Sequence, residues 1–294
     1  VGSLGHRMMK QTASIQVNFD FSNETDAMMK FKVGMGLVPL LTAMFANSPI
    51  SDGKLNGFMT MRGHVWTDTD RRRCGLLPFA FADSPSFEDY TEYALNIPMY
   101  GIVRQGQWIN MTHLSFRQFL ENGHNNERAT LEDWGIHLTT LFPEVRIKKY
   151  LEIRCFDNQP FEYMLAVPAL TKGIFFDNDP LLAAWDLVKK WSWEERITAY
   201  HEAHRQALGT RVQGIRLLDL AKELVMIARE GLERHNDCNE DGENETIYIE
   251  RLSEEIAKGQ CPAYHIVEQW MSRWNYDLKH LIVGTAYQIP DEDA

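Results

Sequence analysis

Two residues spaced two apart on an extended segment raise the first chemical question. Across residues 149–154 the alternation puts Leu151 and Ile153 on one side and Tyr150, Glu152 and Arg154 on the other. A carboxylate and a guanidinium then point into one space, which suits a hard cation beside a phosphate. As a plain surface ion pair they would contribute only about 0–1 kcal/mol and would constrain neither residue type. Residues 13–21 alternate in the same way, with Ile15, Val17, Phe19 and Phe21 on one face and Ser14, Gln16, Asn18 and Asp20 on the other. A sheet face of that polarity cannot close over hydrocarbon without uncompensated burial, so it lines a cleft or meets solvent. Between the two segments lies a dense run of charge and hydroxyl groups, including Arg62, His64, Asp68, Asp70 and the triplet Arg71, Arg72 and Arg73.

These side chains need elements to carry them. Besides the strands at 13–21 and 149–154, residues 57–62 read as a strand, and 99–109 as a hairpin turning at Gln105-Gly106. Ser22 reads as an N-cap ahead of an apolar stripe through Met28, Phe31, Met35, Val38, Leu41 and Phe45, and Pro39 predicts a kink in that helix. After about residue 176 the pattern becomes helical. Asp179-Pro180 opens one helix, Ser192 and Glu195 form a capping box, and Leu217, Ala221, Leu224, Ala228 and Leu232 make an amphipathic stripe. The polar stretch 236–245 reads as a surface loop before two last helices. The expected class is α+β, with the sheet in residues 1–176 and a helical region in 177–294 packed on it as one intertwined unit.

The 294 residues, 44% hydrophobic and 24% charged, have the composition of a folded globular protein. A net charge of −11 disfavours a nucleic-acid partner, because phosphate-backbone affinity depends on clustered Lys and Arg. No run approaches the roughly 18 uncharged apolar residues of a bilayer span, and no signal-peptide order is visible, so a cytoplasmic protein without a membrane partner is expected. Cys74, Cys155, Cys238 and Cys261 lack CxxC spacing and read as reduced thiols. His201 and His204, at i and i+3, read as a solvated helix face rather than a metal site. Tryptophans 185, 191, 193, 270 and 274 read as helix packing.

Longer stretches add a resemblance. GSLGHRMMKQTASIQVNFDFSNETD, then LTAMFANSPISDGKLNGFMTMRGHVWTDTDRRRCGLLPFAF, YALNIPMY, LSFRQFL and HLTTLFPEVRIKKYLEIR resemble glutamate–cysteine ligases of the plant and proteobacterial type. The resemblance runs from Gly2 to about Asp186 and more loosely beyond. It implies a glutamine-synthetase-like fold, in which a curved antiparallel sheet forms a funnel holding ATP, Mg²⁺ and glutamate. It also implies phosphorylation of the glutamate γ-carboxylate, then displacement of phosphate by the cysteine amine. By the same resemblance Gln16 and Glu152 would be magnesium ligands, Arg154 would hold ATP phosphate and steady the phosphoryl group, and Arg62 would bind glutamate. Arg73, and less directly Arg71 or Arg72, would be further anion-binding residues, and Trp66 and Tyr100 would border the cysteine pocket. Phosphoryl transfer relies on positioning and charge neutralisation, which agrees with a list of Arg, Glu and Gln and no nucleophile. The stretch 67–77 would cover the acyl-phosphate against water.

Two departures qualify the resemblance. Relatives carry, ahead of the GSLG position, a Glu-x-Glu strand with further magnesium ligands; the chain starts at Val1 without that segment and is expected to be a processed product or a piece, with weak or no activity alone. Met111 and Met164 stand near positions where plant members have cysteines, which puts a plant-style disulfide switch in doubt. Two other readings remain at this stage: a sister γ-glutamyl ligase with another amine acceptor, and a binding protein without turnover.

Overall fold

The structure, a computed structural model, describes residues 2–287. In chain order the elements that bear on the site are strand β1 (Ser14–Phe19), helix α1 (Glu24–Met44), the short helix α2 (Met61–Trp66), helix α3 (Phe87–Asn96), the hairpin β2 (Gly101–Arg104) and β3 (Gln107–Asn110), and helix α4 (Leu131–Thr139). Strands β4 (Val145–Ile147) and β5 (Leu151–Asp157) follow. Then come helices α5 (Ala166–Phe175), α6 (Asn178–Val188), α7 (Trp193–Gln206) and α8 (Leu217–His235).

The sheet that matters is antiparallel, with strand order β1-β5-β4. All seven residues of the central β5 are buried, whereas Gln16 and Asn18 on β1 are exposed. The alternation read from the sequence therefore holds, but half of the polar face is closed over. Val17, Ile153 and Val145 pair across the strands and turn their apolar side to α1. That helix is the centre of the core: Val33 through Met44 are all buried, and it continues through Pro39. By length and composition α1 could cross a bilayer, contrary to the reading from charge placement, but its burial makes it the core helix of this fold. One apolar cluster takes in Val17, Phe31, Leu151 and Ile153 together with Leu217, Leu224, Ile256 and Ala263, so both halves of the chain share a core.

Several expectations are corrected by local chemistry. Residues 57–62 are not a strand, because Thr60 caps α2 by accepting from the Gly63 amide at 3.0 Å and turns the chain into a helix. Asn23, not Ser22, caps α1; its side chain accepts from the Asp26 amide, while Ser22 bonds the Asp26 carboxylate. Asp177 rather than Asp179 caps α6. His204 is 1% exposed rather than solvated, and its carbonyl accepts from the amides of Met59 and Thr60 at 2.8 and 3.0 Å. Burial, then the charges of His201, His64 and Arg62, push its pKa well down, so the ring is neutral. The hairpin is as expected, with Arg104 paired to Gln107. The capping box of α7 at Ser192 and Glu195 is also formed. The four cysteines are free, with Cys155 and Cys261 buried.

Helices α5 and α8 meet backbone to backbone. A Cβ on Gly231 would overlap the Gly173 carbonyl, and one on Gly173 would overlap that of Ala228. Alanine is the better helix former by about 1 kcal/mol, yet Gly231→Ala is expected to destabilise the protein by about 1–3 kcal/mol because the helices must separate. A lower midpoint in urea with an unchanged slope is the expected result.

Candidate active site

The site is built on β5, whose central position lets both neighbours contribute to one face. The register sets Asn18, Glu152 and Arg146 side by side across β1, β5 and β4. A bulge between Ile15 and Val17 breaks the pairing next to Gln16, which leaves that amide exposed at the rim. At β4 and β5, Arg146 donates through Nη2 to both Glu152 oxygens, at 2.8 and 3.0 Å. Lys148 Nζ lies 3.0 Å from Oε2, and Arg154 Nη1 donates to Oε1. One carboxylate, 2% exposed, thus serves three cations. Burial would raise its pKa, but the hydrogen bonds from Arg146, Arg154 and Lys148 prevail and hold it at about 2.

A second arm comes from α2. Arg62, 4% exposed, donates through Nη2 to the Arg154 carbonyl, while its Nε and Nη1 are buried without a partner. One helical turn on, Trp66 lies under both guanidinium groups, with Arg62 at 5.8 Å and Arg154 at 5.6 Å from its ring. Arg154 also lies over Phe142 at 5.6 Å. Below, Asp157 accepts from Thr60 and Ser48 at 2.7 Å and from the Asn47 amide at 2.8 Å, tying the start of α2 to β5. Burial raises the Asp157 pKa against the pull of Arg62 and those donors. Gly63 is required here because a Cβ would strike the His204 ring.

The structure brings together Arg62, Trp66, Glu152 and Arg154, with Gln16 at the edge. Arg73 and Tyr100 form a separate pair, the guanidinium 3.8 Å from the ring centre. Arg73 is 1% exposed and already donates to Asp70 and Thr140 at 2.9 Å and to the Pro98 carbonyl, so it clamps its loop. Arg71 pairs with Asp68 at the surface. Sequence reading missed Arg146, Lys148 and the buried Glu144, to which Tyr200 donates. The signal was present: a tight turn at 148–150, with Lys148 N to Tyr150 O at 2.8 Å, makes Arg146 the cross-strand partner of Glu152.

Three buried arginines, Arg62, Arg146 and Arg154, stand near three buried carboxyls, Glu144, Glu152 and Asp157, so the groups left wanting an acceptor are the two unpartnered nitrogens of Arg62. A phosphate or carboxylate fits this seat. Mg²⁺ does not fit it as built. Both Glu152 oxygens are taken by cations, Gln16 is exposed, and among the described residues no three His, Cys, Asp or Glu side chains gather to hold a metal. A divalent ion here would need more acidic ligands than these residues assemble. Beside the seat runs a groove of about 470 Å³ between α3 and α4, lined by Phe21, Tyr90, Trp134, Leu138 and Ile147, with Lys148 and Lys149 at its edge.

A family model described as glutamate-cysteine ligase family 2 matches residues 1–280. The chain belongs to glutamate-cysteine ligase family 2. Among its curated relatives, a chloroplastic glutamate–cysteine ligase of Solanum lycopersicum is 42% identical over 98% of this chain and 54% of the relative. That of Medicago truncatula is 41% identical over 98% of this chain and 56% of its own length. That of Arabidopsis thaliana is 41% identical over 95% of this chain and 53% of its own length. The chain thus spans about half the length of the curated relatives it matches. Their chloroplastic names overturn the expectation of a cytoplasmic protein in this family. Net charge and apolar pattern do not separate one aqueous compartment from another.

Proposed function

We propose that this family 2 chain carries the phosphoryl-transfer face of an ATP-dependent ligase that joins the glutamate γ-carboxylate to the amine of cysteine, on a sheet of the glutamine-synthetase-like type. The observation that carries the reading is the buried anion seat of Arg62 and Arg154, the first with two unpartnered nitrogens and the second held by Glu152. The names of the plant relatives support the same chemistry.

In this reading Arg62 uses its two unpartnered nitrogens to bind a glutamate carboxylate, and Trp66 covers it. Arg154, 5.6 Å from the ring centres of both Trp66 and Phe142 and bonded to Glu152, meets the γ-phosphoryl oxygens of ATP, whose base occupies the aromatic groove beside Lys148. A glutamate γ-carboxylate oxygen attacks the γ-phosphorus, the bond to ADP breaks, and an acyl-phosphate forms. The cysteine nitrogen then attacks the acyl carbon, phosphate leaves with the C–O electron pair, and the nitrogen loses a proton. Burial of the seat keeps water from the acyl-phosphate.

The test is phosphate release by the enzyme that carries this chain, which is expected only when ATP, glutamate and cysteine are all present. Release that does not depend on glutamate would sink the reading. Arg62→Met is expected to raise KM for glutamate on the order of 10–100-fold, the loss of one or two charge-assisted hydrogen bonds, with KM for ATP little changed.

A further inference from the structure

We propose that Arg146 is a positioning residue: by holding both oxygens of Glu152 it fixes where Arg154 presents its guanidinium. The geometry that carries this is a chain of contacts through one carboxylate. Arg146 stands directly across from Glu152 in the β4–β5 pairing and takes both its oxygens through Nη2. Arg154 takes one of the same oxygens through Nη1. Arg146 is itself anchored from behind, because its Nη1 donates to the carbonyls of Leu141 at 3.0 Å and Thr139 at 3.4 Å, at the C-terminal end of α4 where the helix dipole favours a cation.

Both guanidinium groups lie near the Phe142 ring, with Arg146 at 5.9 Å and Arg154 at 5.6 Å from its centre. Arg146 is 7% exposed and both terminal nitrogens are spent on protein acceptors, so it lies behind the anion seat rather than in it. Its influence on a bound anion therefore runs through Glu152 and Arg154. Without it, the carboxylate keeps only Arg154 and the flexible Lys148, and Arg154 loses its fixed counterpart. A planar fork does this work better than an ammonium, which makes a single point contact.

The proposal rests on the reading of Arg154 as a phosphate-binding group, and two measurements separate the ideas. The first needs no nucleotide: ¹⁵N relaxation of the Arg154 Nε–Hε resonance. In Arg146→Met this resonance is expected to lose the order it has in the wild type, and Arg146→Lys, the variant that keeps the charge, is expected to recover part of it. The second is calorimetry with ATP and with AMP. Arg146→Met is expected to weaken ATP by about tenfold while AMP binding stays within twofold, because only the terminal phosphates reach Arg154. Adding Arg146→Met to Arg154→Met is expected to cost nothing more for ATP. An unchanged Arg154 resonance in Arg146→Met, or fully additive losses in the double variant, would overturn the proposal. A wild type that binds no ATP while Arg154 order still depends on Arg146 would instead overturn the nucleotide reading and leave the positioning role standing.

Discussion

Arg154→Met is expected to lower kcat on the order of 10²–10³-fold in the phosphate-release assay, with a smaller change in KM for glutamate. The guanidinium lies in a water-poor setting between Trp66 and Phe142, where a fixed positive charge acts on developing phosphoryl charge with little screening. Removing one such donor costs several kcal/mol of transition-state stabilisation and little ground-state binding. The fold is expected to survive, since Glu152 keeps Arg146 and Lys148 and is not left as a lone buried charge. Arg154→Lys is expected to recover only a minor part, because an ammonium cannot both bond Glu152 and stack across the rings. Equal kcat in Arg154→Met and wild type would remove Arg154 from the reaction.

Glu152→Ala is expected to be the most destabilising change in the site, by about 3–5 kcal/mol in urea unfolding, because it leaves Arg146 and Arg154 buried without a counterion. Its pH signature follows from the sign of the shift. The folded carboxyl sits at about 2 against an ordinary 4.5, so its stabilisation is fully present above about 4.5 and is lost as pH falls toward 2. The wild type should therefore lose stability across that window, while Glu152→Ala loses less there and starts lower at neutral pH. Parallel pH profiles for the two proteins would contradict the ion cluster described here. Glu152→Gln is expected to fall between them, since the amide keeps one acceptor oxygen but carries no charge.

Much of this site was legible as pattern. Strict alternation around Glu152 and Arg154 and around Gln16 located two of the three strands, because a period of two survives any tertiary arrangement. Turn chemistry located the β2–β3 hairpin, and capping chemistry located α7. Failures fell where a local signal had two outcomes. Residues 57–62 read as a strand, yet Thr60 had an amide to cap and an Asp157 to bond, and a helix resulted. His204 lies on a helix with polar neighbours, and only the packing of α2 against α7 buried it. Arg73 shares its residue type and neighbourhood with Arg62, but its partners Asp70, Thr140 and Pro98 come from three parts of the chain, and no spacing announced them.

The sequence by itself determined the chemical alphabet of this protein: polar strand faces with Gln16 and with Glu152 and Arg154, an arginine-rich stretch between them, a long apolar core helix, and a family likeness over nearly the whole chain. These are properties of composition and period, and they need no knowledge of which distant residues meet. Tertiary structure alone decided the charge balance. The β4–β5 pairing put Arg146 against Glu152, α2 delivered Arg62 and Trp66 from about 90 residues away in the chain, and folding set the Glu152 carboxylate among three cations. Charges interact through distance and dielectric, and both are set only when the chain has folded.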